Sequence, residues 1–380
     1  MLSEPLCRCP PELSGDYGDG PSRFANIVLI LASLPIIATI GVITNIISLF
    51  IYNSHSQLSS NRYLAALAGS DLIVCLTGIF VIAGDSLRSY SETADQLYVL
   101  ILPKTVPLVL VSQMLSVYLT VFAAIDCYVS VSPTLDHWRP YYCRPTTANW
   151  MILSAVVLSI AYNLIAFLEL ETISCFEPSI NATRFELCPT ELRISDEYVQ
   201  IYRGYMYAAV MAFLPFTLLS ILTIAIVMAL RTSRDATTAD DNENSGRSSG
   251  NRPIVLVMVV LMFLLCNIVS LGVNVLELLK SFIFISWETQ SILIDVGNVL
   301  VVINATANFF VYIAHSESYR RTLVDSLPME FVRKLVMSRR SHFRVIAHTD
   351  SIELEPTSRC KSACTYLTIV LDGEQSNDTV

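Results

Sequence analysis

Seven long stretches of apolar residues, each near the length of a membrane-crossing helix, constrain this chain more than any other feature. A helix needs about 20 mostly apolar residues to cross the hydrocarbon, because lipid offers its backbone no hydrogen-bond partner. The stretches cover Asn26–Tyr52, Tyr63–Gly84, Tyr98–Val131, Ala148–Leu168, Val199–Leu230, Pro253–Leu279 and Ser286–Ala314. Composition agrees. Of 380 residues, 53% are hydrophobic and 15% charged, against roughly 25% charged in a soluble domain. The absence of strand-period alternation argues against a β-barrel, and the absence of a repeat of roughly 20–50 residues argues against a solenoid. The expected fold class is an all-α membrane protein, a seven-transmembrane helix bundle.

Seven spans put the two ends on opposite sides of the bilayer. The first 24 residues are polar and lack the apolar core of a cleavable signal. With the N-terminus extracellular and the C-terminus cytoplasmic, sixteen Arg and Lys residues face the cytosol and eight face out, as the positive-inside bias requires. The expected organisation is an extracellular tail over residues 1–25, the seven-helix bundle over 26–314, a short amphipathic membrane-surface helix over 315–327, and a disordered cytoplasmic tail over 328–380. Tyr319, Leu323 and Leu327 recur every four residues beside Arg320 and Arg321, which suits a helix on the inner leaflet or an ordinary polar tail. Basic residues beyond it would be drawn to anionic lipid.

The net charge of −9 is uneven. Glu169, Glu171, Glu177, Glu186, Glu191, Asp196 and Glu197 crowd one outer loop, joined by Asp85, Glu92, Asp95, Glu277 and Glu288. An acidic mouth either concentrates a cationic ligand or is a solvated surface. The sequon Asn181-Ala182-Thr183 in the same loop is a glycosylation site or a chance match.

Polar side chains in hydrocarbon are costly and tend to mark function. Asn45 sits in the first span, Asp71 in the second, Ser112, Gln113, Ser116 and Thr120 in the third, and Asn298, Asn304 and Asn308 in the seventh. Gln113, Ser116 and Thr120 share one helix face. A lone carboxylate among amide and hydroxyl oxygens either holds a small cation such as sodium or is protonated and joins helices by hydrogen bonds. The five histidines are scattered and no zinc-like spacing occurs, so an enzyme is not expected. Without internal repeats or broken helices, a transporter is disfavoured too.

Read in order, these positions fall in a pattern that resembles the rhodopsin-like (class A) G-protein-coupled receptors. The matching residues are Gly41-x-x-x-Asn45, Leu67-Ala68-Gly69-Ser70-Asp71, Asp126-Cys127-Tyr128, Trp150, Phe213-Leu214-Pro215, Phe263-Leu264-Leu265-Cys266-Asn267 and Asn304-x-x-x-Asn308-Phe309-Phe310-Val311-Tyr312. Within that class, Asn61-Arg62-Tyr63-Leu64-Ala65-Ala66-Leu67-Ala68, Tyr162-Asn163 followed by Glu169, Glu191-Leu192-Arg193 and Asn274-x-x-Glu277 resemble invertebrate FMRFamide-type neuropeptide receptors.

The resemblance implies a ligand pocket near Asp85, Val109, Gln113, Arg203, Asn274, Glu277 and Asp295. It also implies an allosteric sodium site at Asp71, Ser116, Asn304 and Asn308, and a coupling region at Asp126, Cys127, Tyr128 and Tyr312. The implied partners are an amidated peptide or a small chemical cue outside and a heterotrimeric G protein inside. Arrestin and a second receptor are further candidates, and no nucleic acid is expected. Amine receptors of this kind carry an aspartate where this chain has Val109, which argues against an amine.

The departures from the pattern matter. Cys127 stands where the family has an arginine, and a thiol cannot offer that planar donor fork. Proline is missing at Val269 and Phe309, where the family's sixth and seventh helices kink. The third span also lacks the cysteine that the family bonds to the second outer loop. Among Cys7, Cys9, Cys175 and Cys188, four cysteines allow three complete pairings. The expected bridge is Cys175–Cys188.

Overall fold

The structure, a computed structural model, describes residues 21–54, 58–88, 90–177, 182–239, 254–278 and 286–326. Most of the 1–25 tail and all of the 328–380 tail therefore lie outside the described residues, as do Asn181 and Leu327. Seven helices are long and apolar enough to cross a membrane: α1 (Phe24–Ser54), α2 (Ser59–Ile82), α3 (Glu92–Val131), α4 (Pro145–Leu168), α5 (Tyr198–Thr232), α6 (Val255–Leu276) and α7 (Glu288–His315). A shorter helix, α8 (Glu317–Ser326), follows. Helix α3 has 40 residues, about 60 Å at 1.5 Å per residue, so it projects well beyond a hydrocarbon core.

Local chemistry sets several helix starts. The Ser91 side chain accepts from the Ala94 N–H at 3.4 Å, and Glu92 and Asp95 occupy the first turn of α3. Acids there complement the partial positive charge of a helix start. Ser286 caps α7 in the same way, accepting from Thr289 N–H at 3.3 Å.

The helices pack in sequence around α3: α1 against α2 and α7, α2 against α3 and α4, α5 against α3 and α6, and α6 against α7. Tight spots fix the arrangement. A Cβ built on Gly41 would lie 2.4 Å from Thr306 Oγ1 and 2.5 Å from Cys75 Sγ, so only glycine lets α1 approach α2 and α7 this closely. Beside it, the Asn45 amide donates at 2.9 Å both to Gly41 O and to Ala305 O, joining α1 to α7.

Between α4 and α5 lies an element that the apolar blocks did not reveal, an antiparallel hairpin of β1 (Leu170–Glu177) and β2 (Ala182–Pro189). It docks on the first turns of α3. Gln96 exchanges two hydrogen bonds with the Phe185 backbone at 2.8 and 3.2 Å, and Thr172 donates to Val99 O at 3.0 Å. Leu187 packs with Tyr98, Val99 and Leu102. At the opposite end of the bundle, α8 folds back against α1 and α7. Tyr319 and Leu323 are buried in the same cluster as Tyr52, Tyr63 and Tyr312, so both face the bundle.

Candidate functional site

The polar residues of the spans converge where α2, α3 and α7 meet. Asp71, 1% exposed, accepts from Ser116 Oγ at 2.6 Å on one carboxylate oxygen and from Asn308 Nδ2 at 2.8 Å on the other. The side-chain carbonyl oxygens of Asn304 and Asn308 are buried with no hydrogen-bond partner. Orphaned buried oxygens are expensive, and a carboxylate, a hydroxyl and two such carbonyls are the hard donors that suit a small monovalent cation. Three of the four expected residues thus touch one another, and Asn304 stands one turn from Asn308 with its oxygen unsatisfied.

Toward the hairpin end, a second cluster surrounds Glu169, which is 1% exposed. Tyr198 donates to its Oε1 at 2.5 Å, and Arg203 donates to both oxygens, through Nε at 3.1 Å and through its second nitrogen more closely. Arg193 adds a third donor group at 3.6 Å. Tyr198 and Tyr202 stack at 5.1 Å, and Tyr202 stacks on Tyr162 at 5.3 Å. Over Tyr198–Met206 the helix is wound as a π-helix, and its i→i+5 repeat brings residues five apart onto neighbouring positions. That is how Tyr198 and Arg203 reach the same carboxylate. Arg203, expected as a ligand contact, bonds Glu169 and keeps part of its side chain exposed. The buried acid was missed as a hub, although its place at the end of an apolar run was the available signal.

A third set lies at the tip of α3. Asp95 is bonded by Arg184 at 2.7 Å and Arg88 at 3.2 Å. Arg88 also covers the Tyr98 ring at 5.4 Å but lies 3.8 Å from Asp85. The acidic mouth is therefore smaller than the sequence suggests, since Glu169 and Asp95 are already neutralised. Asp85 and Asp295 stand outside both of these clusters. Asp295 accepts from the Asn26 amide at 3.1 Å, and among the described residues no ion pair forms with it. Partial burial raises the Asp85 carboxyl above its ordinary value, opposed by Arg88 and Tyr98. Val109 and Gln113 are half-buried on α3, and Asn274 donates back to Ser270 O at 2.8 Å. The side chain of Glu277 is outside the described residues.

At the opposite end, Asp126 accepts from Ser59 Oγ at 3.0 Å, and its other oxygen is buried without a partner. Cys127 is buried and Tyr128 half-buried. Tyr312 packs edge-on against Tyr52 at 5.2 Å and lies 5.4 Å from Tyr319.

The expected Cys175–Cys188 bridge does not fit the hairpin. Both sulfurs are in disulfides, but the ladder pairs Cys175 with Arg184 and Cys188 with Glu171. Four residues separate Arg184 from Cys188, about 13 Å along a strand, whereas a cystine holds its Cα atoms within roughly 7 Å.

Seven membrane-length helices around a buried carboxylate, with charged clusters closing one end, define a multi-pass membrane protein of the seven-helix class. A family model described as "Serpentine type 7TM GPCR chemoreceptor Srw" matches residues 32–329, and the chain belongs to that family of G-protein-coupled receptors. It is similar to a Caenorhabditis elegans protein named probable G-protein coupled receptor frpr-1, at 35% identity over 314 residues and 78% of each chain. It is also similar to the FMRFamide receptor of Drosophila melanogaster, at 28% over 292 residues, 75% of this chain and 51% of the relative. The FMRFamide peptide receptor frpr-18 of Caenorhabditis elegans is 25% identical over 339 residues, 84% of this chain and 76% of the relative. These relatives are receptors, not enzymes.

Proposed function

We propose that this chain is a rhodopsin-like cell-surface receptor for an amidated, FMRFamide-like neuropeptide, with its hairpin end and N-terminus outside the cell. The observation that carries the ligand reading is the pair Asp85 and Asp295. Asp295 forms no ion pair among the described residues, and Asp85 has only a share of Arg88, 3.8 Å away and held more closely by Asp95, while Asp95 and Glu169 each hold two arginines. A basic residue near the amidated end of a peptide supplies the missing charge. The likeness to proteins named as FMRFamide receptors supports the peptide. Val109, Gln113 and Asn274 complete the lining, while Arg203 holds the wall in place through Glu169.

Asp71, Ser116, Asn304 and Asn308 hold a sodium ion that favours the resting arrangement of α2, α3 and α7. The opposite end engages a heterotrimeric G protein, in an atypical manner because Cys127 lacks a guanidinium beside Asp126. The test is a dose-response screen on cells expressing the chain. Amidated peptides with a penultimate-region arginine are compared with their free-acid forms, with G-protein activation and arrestin recruitment both recorded. A saturable response that requires the amide supports the reading, and silence toward every peptide at normal surface expression overturns it. The family's description as chemoreceptors favours a second reading, a receptor for a small chemical cue that works beside another receptor. A response to small molecules alone would select it.

A further inference from the structure

Cys175 and Cys188 are both disulfide-bonded and are too far apart along the ladder to be bonded to each other. They therefore belong to two different bridges. Among the described residues the other cysteines are Cys75, Cys127, Cys143 and Cys266, none of them in a disulfide. The remaining sulfurs in the chain are Cys7, Cys9, Cys360 and Cys364. Seven crossings place anything beyond α7 on the opposite side of the bilayer from the hairpin between α4 and α5, which removes Cys360 and Cys364. Residues before α1 lie on the hairpin's side. We infer that Cys7 and Cys9 close both bridges, one with Cys175 and the other with Cys188, so that two covalent links hold the amino-terminal segment on the hairpin.

The geometry of the ladder accommodates this. Side chains alternate between the two faces of a strand, and cross-strand partners share a face. Thr172 and Leu187, paired opposite each other, reach the tip of α3. By the same alternation Cys175 and Cys188 share the other face, from which Arg184, opposite Cys175, reaches Asp95. The two cysteines are 0% and 7% exposed. Cys7 and Cys9 are two residues apart, which spans at most about 7 Å of extended chain. With roughly 7 Å at each cystine, they bridge a separation of about 13 Å. Noncovalent docking through Gln96, Asp95 and Thr172 already fixes the hairpin to α3. Both hairpin sulfurs are therefore available for bonds outside the hairpin.

The inference rests on the reading that this face is extracellular and oxidising, but its test needs no ligand. Trypsin cuts after Arg8, Arg23, Arg184 and Arg193 and so places the four cysteines on separate peptides. The full chain, purified from cell membranes and digested without reductant, should yield peptide 185–193 joined to peptide 1–8 or 9–23. The Cys175 peptide should be joined to the other one, and both links should dissociate with reductant. Peptide 185–193 joined to the Cys175 peptide, or recovered as a free thiol, overturns the inference. Independently, intact cells should take up no impermeant maleimide at these sites. Cys7→Ser and Cys9→Ser should each expose one hairpin thiol, and the double variant two. A double variant that takes up no label overturns the inference as well.

Discussion

Asn308 on α7 donates its amide to Asp71 on α2 at 2.8 Å, while the carbonyl oxygen of the same side chain is buried without a partner. One residue thus ties two helices together and leaves a donor site for a cation between them. Asp71→Asn keeps the size of the side chain and removes its charge. The expected outcome is agonist affinity that no longer falls as sodium replaces a larger cation at constant ionic strength. Radioligand displacement across a sodium series checks this, and equal sodium dependence in both proteins contradicts it.

Glu169 is almost fully buried where it meets Tyr198, Arg203 and Arg193, while the side chains of the two arginines are 29% and 35% exposed. Breaking a fully buried pair from one side costs about 3–5 kcal/mol and water reaching the two arginines lowers that figure, so Glu169→Ala should clearly lower the receptor's melting temperature in detergent. Tyr198→Phe removes one hydrogen bond to a charged group, about 1.5–3 kcal/mol, and should fall between. A melting temperature unchanged in Glu169→Ala would show that the cluster adds nothing to the fold.

The seven spans were legible because lipid demands long apolar runs, and Asp71, Ser116 and Asn308 because a polar side chain in such a run needs a partner. The Glu169 cluster was not legible. Tyr198 and Arg203 are five apart, a spacing that an α-helical reading places on different faces, and only the π winding of that stretch unites them. The hairpin escaped notice because Leu170–Glu177 and Ala182–Pro189 mix charged, apolar and hydroxyl residues without clean alternation. The cysteine pairing depends on strand register, which composition does not specify.

Cys127 sits next to Asp126, one of whose oxygens is buried with no partner. Cys127→Arg should place a guanidinium beside Asp126 at this end of α3 and raise agonist-driven nucleotide exchange several-fold. The check is nucleotide exchange on purified G protein at matched receptor density. An unchanged rate would show that the missing arginine does not limit coupling.

Partial burial holds the Asp85 carboxyl above its ordinary value. For an acid raised in the folded protein, ionisation opposes folding, so this residue's penalty grows as pH rises from the unfolded to the folded pKa. A bound cationic side chain reverses that balance by favouring the ionised form. Peptide affinity should therefore rise with pH through the carboxylate range and release a proton on binding. Asp85→Asn should flatten that part of the profile. A profile with the same slope in both proteins would place the basic residue of the ligand elsewhere.

Tyr319 on α8 shares a hydrogen bond of 2.8 Å with Ser48 on α1 and packs within 5.4 Å of both Tyr52 and Tyr312. Burial raises its phenol above the ordinary value, with the Ser48 bond opposing, so the hydroxyl stays neutral throughout the physiological range. Two terms hold α8 here, and their sizes differ. Deleting the hydroxyl in Tyr319→Phe costs about 1 kcal/mol, while Tyr319→Ala empties an aromatic site at about 3–5 kcal/mol. Ring packing should therefore dominate. Tyr319→Phe should melt near the parent, and Tyr319→Ala should melt well below it with faster amide exchange in α8. If Tyr319→Phe falls as far as Tyr319→Ala, the hydrogen bond to Ser48 is the main attachment instead.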